Sequence, residues 1–397
     1  MKYIVILGDG MADRPIYKLS GLTPLQKAKK PHMDFIAKNG RLGLVKTIPN
    51  GMPPGSDTAN LSVLGYDPLV YHTGRSSLEA VSIGINLNKN DLAYRCNLVT
   101  LDGDIMLDHS AGELSTSEGK ALIEDLAKAL DIELYAGTGY RHCLVLQNAK
   151  SGSLTIPPHD FIGKKITEHF PRGEHSEFFY SLTKKSWEIL KNHPINFERI
   201  KEGKHPANSI WLWGEGKAPS LPSFKDKYGK TGAVISAVDL IKGIGLSIGF
   251  ENIQVPGATG TLHTDYAGKV SAALLVLRHK DFVYLHIEAP DECGHQGNIH
   301  DKVLAIEYID KKVVGPIITE LNKRGEDYSI LVMPDHPTPL DIRTHTDDPV
   351  PFAYYRSNGN ENPSGYMFCE ESAANTGVYI EKGHMLMGEF VGLCSQI

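Results

Sequence analysis

Three short apolar runs constrain the fold of this chain more than any other feature of its sequence. The runs are "YIVIL" before "GDG", "FVYLHIE" before "APDECGH" and "SILVMP" before "DH". Apolar runs without polar alternation are typical of strands buried on both faces, and such strands form mostly parallel sheets covered by helices. The pattern therefore predicts an α/β fold with a mostly parallel sheet at its core and helices on both faces.

Two helices are predicted with defined ends. The stronger pattern extends from about Asp301 to Arg324, with apolar residues at steps of three or four and Gly325 as its stop. We expect Pro316 to kink or split this helix, because proline has no backbone N–H to donate. The second helix follows "STSE", where Ser115 and Glu118 form a capping box.

The domain organisation is indicated by a change of composition. The chain has 397 residues, which is enough for two or three domains. Between about residues 90 and 205 it is rich in Pro, Gly, His and charged residues. We interpret residues 89–205 as an inserted smaller α+β domain, and residues 1–88 with 206–397 as one discontinuous metal-binding domain.

Charge and cysteine content limit the partners and the compartment. The formal net charge of −6 argues against nucleic acid and anionic membrane as partners. The first apolar run is too short for a signal segment or a membrane span. The cysteines have no C-x-x-C spacing and favour a reducing, cytoplasmic location; they are Cys96, Cys143, Cys293, Cys369 and Cys394. The oligomeric state stays open.

Carboxylates and histidines follow all three apolar runs. Ligands of open parallel sheets gather at the carboxyl ends of strands, so we expect these side chains to converge. Asp and His together suit a borderline-hard divalent metal such as Mn²⁺ or Zn²⁺. A single histidine is more often a surface or core residue, but a convergent set indicates a metal site. The candidates are Asp9, Asp291, His295, Asp335, His336 and, from "RTHTDDPVPF", His345.

The spacing of these candidates leads to two geometric expectations. We expect Asp291 and His295 to lie one short loop apart. Asp335 and His336 are adjacent, so we expect their side chains to diverge. They would then face different sides of one metal, or two metals.

A stiff loop precedes Ser56. In "GMPPGSDTANLSVLGYDP" two prolines and a glycine deliver Ser56 and Asp57 to the start of an apolar helix. By residue type alone, a helix N-cap is the favoured interpretation of Ser56. The alternative is a nucleophile: two metals roughly 4 Å apart would hold a phosphoryl group and activate the hydroxyl without a histidine base.

A resemblance to a known family combines these features. The chain resembles the archaeal-type cofactor-independent phosphoglycerate mutases of the alkaline phosphatase superfamily. The resemblance lies in motifs that occur in the same order and span nearly the whole chain. They are "VILGDGMADRP", "PPGSDTANLSVLGYDP", "YHTGRSSLEA", "AVISAVDLIKGIG", "VPGATG", "HIEAPDECGH", "MPDHPTP" and "THTDDPVPF".

The resemblance implies an alkaline-phosphatase-like metal domain, interrupted by a substrate-closing domain, and a catalytic phosphoserine at Ser56. It implies two divalent ions, Mn²⁺ or else Zn²⁺, Co²⁺ or Mg²⁺, and no bisphosphoglycerate. By motif, one ion would be bound by Asp9, Ser56, Asp335 and His336, and the other by Asp291, His295 and His345.

The implied reaction interconverts 3-phosphoglycerate and 2-phosphoglycerate. Ser56 would take the phosphoryl group, and the glycerate would turn in a closed site before taking it back. Such a small phosphorylated substrate needs cationic partners, and Arg favours bidentate contacts to phosphate and carboxylate. The candidates are Arg75, Arg95 and Arg141, with Lys227 as a weaker one.

Two departures from the family pattern leave the acceptor open. Ser76 and Ser77 stand where glycine and proline are more usual, and "LDHSAGE" lacks the expected arginines. Glu113 in that segment would suit an amino-acid acceptor, so a homoserine-kinase-like phosphotransferase is one alternative. A phosphomonoesterase is another, and a metal-stabilised structural protein is the non-enzymatic alternative.

Overall fold

The chain folds into two compact units. The computed structural model describes residues 1–359 and 363–392. The first unit comprises Met1–His72 with Leu221–Ile397, and the second comprises Thr73–Ser220. The second unit is longer at both ends than the composition indicated, because the helix Arg75–Ser82 and the strand Ser209–Lys217 both contact the strand Leu92–Asp102.

The strands and helices of both units are numbered in chain order. The strands are β1 (Lys2–Gly8), β2 (Arg41–Val45), β3 (Leu92–Asp102), β4 (Ile105–Asp108), β5 (Leu134–Tyr135), β6 (Arg141–Leu146), β7 (Ser153–Leu154), β8 (Arg172–Gly173), β9 (Ser209–Lys217), β10 (Gly232–Ile235), β11 (Glu251–Asn252), β12 (Phe282–Ile287), β13 (Tyr328–Met333), β14 (Val350–Arg356) and β15 (Tyr379–Ile380). The helices are α1 (Pro24–Lys27), α2 (Pro31–Asn39), α3 (Ser56–Val63), α4 (Pro68–Tyr71), α5 (Arg75–Ser82), α6 (Thr116–Leu130), α7 (Ser176–Leu190), α8 (Pro194–Lys201), α9 (Phe224–Tyr228), α10 (Asp239–Ser247), α11 (Tyr266–Val276), α12 (Ala289–Gln296), α13 (Ile299–Ile309), α14 (Gly315–Arg324), α15 (Glu370–Asn375) and α16 (Leu386–Phe390).

The sheet of the first unit has the strand order β11-β10-β12-β1-β13-β14-β2-β15. Strand β1 is parallel to both of its neighbours, with Leu7 in register with His286 of β12 and Met333 of β13. Only the pairs that include β14 are antiparallel among the described strands of this sheet. The carboxyl ends of β12, β1 and β13 therefore lie side by side, as the sequence predicted.

Apolar side chains cover both faces of this sheet. Ile4 and Ile6 of β1 belong to a buried cluster that includes residues of α2, α11, α13 and α14. On the opposite face Tyr3 contacts Phe390 at a ring-centroid distance of 5.8 Å, and Phe282 contacts Phe224 at 4.8 Å. The sheet is thus buried on both sides, which confirms the predicted α/β fold.

The predicted long helix is interrupted before its proline. Helix α13 begins after Asn298, whose side chain accepts a hydrogen bond from the backbone N–H of Asp301. A π-helical turn, Asp310–Val314, connects it to α14, and Gly325 ends α14 in the left-handed conformation with φ 64°. The turn ends two residues before Pro316, whose missing N–H disturbs the helical ladder there.

The second unit contains an antiparallel sheet of order β4-β3-β6-β5, and β9 is also paired antiparallel to β3. Strand β3 is central, and its residues Tyr94, Cys96 and Leu98 pack in one buried cluster with α6 and α7. The capping box of Ser115 and Glu118 at α6 is confirmed. This unit is therefore of the α+β type.

Two further expectations concern the chain as a whole. Among the described residues, no helix is both long enough and apolar enough to cross a membrane. Cys96, Cys143, Cys293 and Cys369 are buried free thiols. Cys394 lies outside the described residues.

Candidate metal centre

The polar residues that follow β1, β12 and β13 converge in the first unit. Asp9 directly follows β1, and Asp335 and His336 lie just beyond β13. Three overlapping groups of side chains have ligand atoms within 4.8 Å of one another. The groups are Asp291 with His295 and His345, Asp9 with His286 and Asp335, and Asp9 with Asp291 and His336.

One group is centred on Asp291. The Nε2 atom of His295 lies 3.2 Å from Oδ2 of Asp291, and that of His345 lies 3.3 Å from Oδ1. The two Nε2 atoms lie 3.0 Å from each other. Asp291 and His295 both lie on α12, one helical turn apart. The expectation of a loop between them is wrong, because Pro290 follows the strand as an early helical residue and helix spacing then puts both side chains on one face.

His336 belongs to the group with Asp9 and Asp291. Its Nε2 atom lies 3.2 Å from Oγ of Ser56, 3.5 Å from Oδ2 of Asp335 and 3.6 Å from Oδ1 of Asp9. Asp335 and His336 therefore converge, and the expectation that they diverge is wrong. Alternation to opposite sides holds only inside a strand, and β13 ends at Met333, before this pair.

Ser56 is not a helix cap. The N-cap of α3 is Gly55, whose backbone is extended, and Ser56 is the first helical residue. Its hydroxyl lies 3.2 Å from Nε2 of His336. The cap interpretation is therefore wrong. The stiff loop places the hydroxyl at the amino end of a helix, where backbone N–H groups and the helix dipole favour a negative group.

Backbone and side-chain donors hold the carboxylates in place. Asp335 accepts hydrogen bonds from the backbone N–H of Gly10 at 3.2 Å and from Nδ2 of Asn60 at 2.8 Å. Asn60 also donates to the carbonyl of Ser56 at 2.8 Å, so it ties α3 to the strand end. Thr338 donates its hydroxyl to Oδ1 of Asp291.

His286 belongs to this centre, and the sequence reasoning missed it. It is the fifth residue of β12, fully buried, with Nε2 3.0 Å from Oδ2 of Asp9 and Nδ1 3.2 Å from Oγ of Ser236. Burial lowers its pKa to about 3, so the ring is neutral. The available signal was the histidine inside the apolar run "FVYLHIE". A buried imidazole in such a strand needs a polar partner.

The electrostatics of the centre favour a bound cation. Burial, followed by Asp335 and Asp291, raises the pKa of Asp9 well above its ordinary value. Burial opposes ionisation of Asp291, but hydrogen bonds with His295 and His345 outweigh it and hold its pKa well below the ordinary value. Oδ1 of Asp9 is buried and has no hydrogen-bond partner among the described residues. Crowded carboxylates, an orphaned oxygen and facing imidazole nitrogens are the donor set that divalent Mn, Co or Zn accept.

The predicted arginines lie in the second unit. Oε1 of Glu79 lies 2.8 Å from Nε of Arg75, and its Oε2 lies 3.0 Å from Nε of Arg95. The guanidinium of Arg95 stacks on Trp213 at 4.2 Å, and that of Arg141 lies 5.3 Å from the ring of Tyr140. Burial lowers the pKa of Arg95 to about 10, and Arg75 and Arg141 contribute to this because they are near enough to repel its charge.

We call Arg75, Arg95 and Arg141 the arginine cluster. Two histidines lie beside it. The ring of His109 lies 5.7 Å from Tyr140 and 5.9 Å from His159, and His159 contacts Trp213 at 5.6 Å. Burial, reinforced by His109 and the nearby arginines, lowers the pKa of His159. The histidine that replaces an expected arginine in "LDHSAGE" therefore still borders the cationic cluster.

The other departures from the family pattern are Ser76, Ser77 and Glu113. The hydroxyls of Ser76 and Ser77 donate to the carbonyls of Gly214 and Gly74. Glu113 is exposed, in the left-handed region at φ 53°.

Lys227 lies in the first unit, on α9, and its ammonium is at the opposite end of α3 from Ser56. Its ammonium donates to the carbonyl of Gly65, beyond the carboxyl end of α3, and lies 4.6 Å from the ring of Tyr66. Ser56 is at the amino end of the same helix. Burial lowers the pKa of Lys227.

Comparison with known proteins identifies the family. The family described as 2,3-bisphosphoglycerate-independent phosphoglycerate mutase matches residues 37–196. A protein of Geobacter sulfurreducens, named as a probable enzyme of this kind, is 52% identical over 394 residues, which is 98% of each chain. The chain belongs to this mutase family. A mutase from Methanosarcina barkeri is 51% identical over 395 residues, 98% of this chain and 99% of its own.

Solved structures agree with the mutase fold. A protein from Pyrococcus horikoshii superposes with a TM-score of 0.84 at 30% identity, covering 100% of this chain and 98% of its own. The cofactor-independent phosphoglycerate mutase of Thermoplasma acidophilum gives 0.67 at 28% identity, covering 100% of both chains. The family fold therefore extends over the whole chain, including both units.

Proposed function

We propose that this protein is a metal-dependent phosphotransferase that interconverts 3-phosphoglycerate and 2-phosphoglycerate through phosphorylated Ser56, without bisphosphoglycerate. Family membership supports the reaction. The observation that carries the proposal is the position of the Ser56 hydroxyl, 3.2 Å from Nε2 of His336 and at the amino end of α3, among buried Asp and His side chains. A structural metal site would not require a serine hydroxyl that does not cap the helix at this position.

The donor sets fit two divalent ions. Asp9, Ser56, Asp335 and His336 would hold one, and Asp291, His295 and His345 the other. Mn²⁺, Zn²⁺ and Co²⁺ suit these oxygen and nitrogen donors, whereas Mg²⁺ prefers oxygen ligands and fits the histidines less well. Such ions supply positive charge that lowers the pKa of a hydroxyl and stabilises the transferring phosphoryl group.

The chain's own groups account for the rest of the reaction. Oγ of Ser56 attacks phosphorus, the bond from phosphorus to the 3-oxygen of glycerate breaks, and the serine proton ends on that oxygen. In the second half the 2-hydroxyl of glycerate attacks phosphorus of the phosphoserine, the bond from phosphorus to Oγ breaks, and the proton of that hydroxyl ends on Oγ. The N–H groups at the start of α3 favour the phosphoryl oxygens, and Asn60 fixes the helix relative to Asp335.

The arginine cluster of the second unit is the proposed site for the acid groups of glycerate phosphate. Guanidinium groups that repel one another bind anions well, and Glu79 holds two of them in place until the substrate arrives. The relatives described above that carry an enzyme name are called mutases, which favours glycerate over an amino-acid acceptor. The substrate-closing role of this unit and the cytoplasmic location stay predictions.

Trapping the phosphoserine tests the proposal. The protein is mixed with Mn²⁺ and 3-phosphoglycerate, quenched in acid and digested, and the peptide that contains Ser56 is examined by mass spectrometry. We expect phosphate on Ser56, and loss of both the phosphopeptide and mutase turnover in Ser56→Ala. Ser62→Ala is the matched control, since Ser62 is a buried serine of the same helix. Turnover by Ser56→Ala, or phosphate on another residue only, would overturn the proposal.

A further inference from the structure

A buried lysine joins the two loops that carry the proposed ligands Asp9, Asp335 and His336. Lys302 lies in the first turn of α13 and its side chain is fully buried. Its ammonium donates to Oδ2 of Asp13 at 2.8 Å, to the carbonyl of Thr338 at 2.7 Å and to the carbonyl of Ala12 at 3.3 Å. An ammonium has three N–H groups, so each of them has an acceptor here.

These acceptors belong to the segments that follow β1 and β13. Ala12 and Asp13 lie just beyond Asp9, and Thr338 lies two residues beyond His336. Thr338 itself donates its hydroxyl to Asp291. Lys302 therefore contacts the backbone of both loops and, through Thr338, is linked to Asp291 of one proposed ion site.

Asp13 connects the loop after β1 to the segment after β13 by a second contact. Its side chain is 1% exposed and accepts the backbone N–H of Leu340 at 3.2 Å. The segment after β13 is thus bound twice, by Lys302 at the carbonyl of Thr338 and by Asp13 at the N–H of Leu340. Well-packed apolar residues can replace a buried ion pair with little loss of stability. The pair is therefore better explained by the geometry it imposes on these loops than by stability alone.

We propose that Lys302 is a positioning residue of the metal centre, which sets the divalent-ion affinity by fixing the loops of Asp9 and His336. This inference rests on the proposed function, because it assumes that the centre binds divalent ions. Partners behind the direct ligands commonly change metal affinity by about 10- to 100-fold when they are removed. We expect an effect of that size for Lys302.

The test is the affinity of purified protein for Mn²⁺ alone, measured by calorimetry, with the electron paramagnetic resonance spectrum of the bound ion as a second readout. The first variant is Lys302→Met. Because it leaves Asp13 as an unpaired buried carboxylate, the second variant is Lys302→Met with Asp13→Asn, which removes both charges and keeps an acceptor for Leu340. Lys30→Met is the matched control, since Lys30 is 4% exposed, in the same unit, and pairs with Asp34 of α2 at 2.8 Å.

The expected result is an affinity for Mn²⁺ about 10- to 100-fold weaker in the double variant than in the control, with an altered spectrum of the bound ion. Melting temperatures in chelator report the fold of each variant separately. A double variant that is folded and binds Mn²⁺ as the control does would overturn the role of Lys302. If the unmodified protein binds no divalent ion, the proposed metal centre itself fails, which is a different outcome.

Discussion

The candidate metal centre of the first unit and the arginine cluster of the second unit obtain their geometry in different ways. In the first unit, side chains such as Asp335 are fixed by a backbone N–H and by Asn60 at the ends of parallel strands. In the second unit Arg95 and Arg141 project from β3 and β6 of an antiparallel sheet, held by Glu79 and by aromatic rings. The first is an acidic, mostly buried site suited to cations. The second is a cationic site with long side chains suited to organic anions.

Chelation of divalent ions is expected to have the largest effect, and to act on the site in the first unit but not on the site in the second. Removal of divalent ions is expected to lower mutase turnover at least about 10³-fold, because the phosphoryl charge is then uncompensated. Added Mn²⁺ should restore it. Tryptophan fluorescence should stay unchanged, since Trp187, Trp211 and Trp213 all lie in the second unit. Full turnover in chelator would contradict the assignment of the first unit.

A variant of one proposed ligand tests whether the acidic site of the first unit binds two ions. In His295→Ala we expect the number of Mn²⁺ ions bound per chain to fall from about two to about one, because the group around Asp291 loses an imidazole. Elemental analysis after dialysis measures this ratio. His300→Ala is the matched control, an exposed histidine of the neighbouring helix α13. Equal metal content in the two variants would contradict the ligand role of His295.

An arginine variant addresses the second unit. Arg141→Gln removes one charge-assisted contact to substrate and should raise KM for 3-phosphoglycerate by about 10- to 100-fold. The Mn²⁺ content should stay unchanged, which distinguishes this site from the metal centre. Arg172→Gln, at an exposed arginine of the same unit, is the control. An unchanged KM in Arg141→Gln would remove Arg141 from the substrate site.

The smallest expected effect concerns the loop of His109. Hydrogen bonds from His205, Ser110 and Gly112 outweigh the effect of burial and lower the pKa of Asp108 from 3.8 to about 2. A depressed carboxyl pKa stabilises the fold above pH 3.8, and this contribution is lost as the pH falls toward 2.

Asp108→Asn should therefore cost about 1 kcal/mol of unfolding free energy at pH 7, allowing for screening by solvent, and almost nothing near pH 2. Urea unfolding followed by tryptophan fluorescence measures this difference. A difference between Asp108→Asn and the unmodified protein that does not change with pH would contradict the account of this loop.

The acidic site was predictable from the sequence because parallel strands bring their carboxyl ends together. Asp9, Asp291 and Asp335 were found from their position after apolar runs, and the structure brings them together. Their local conformation was not predictable: the helix that carries Asp291 and the convergence of Asp335 with His336 depend on how the chain leaves each strand. His286 was missed because alternation along a strand does not show which buried side chain meets a carboxylate.

The cationic site was less accessible to prediction. Arg75 and Arg95 were found only by resemblance, since strand pairing in an antiparallel sheet decides which long side chains meet. Their common partner Glu79 lies one helical turn after Arg75 on α5, whereas the stacking of Arg95 on Trp213 follows from the register of β3 with β9. Lys227 stays a prediction: its ammonium already has a partner in the carbonyl of Gly65.

The most direct test of the central claim is phosphorus NMR of the purified protein with Mn²⁺ and 3-phosphoglycerate, in the absence of bisphosphoglycerate, with the metal removed before the spectrum is taken. The account predicts the resonance of 2-phosphoglycerate without free phosphate, and no new resonance with Ser56→Ala. Release of inorganic phosphate alone, or an unchanged spectrum with the metal-loaded protein, would contradict it.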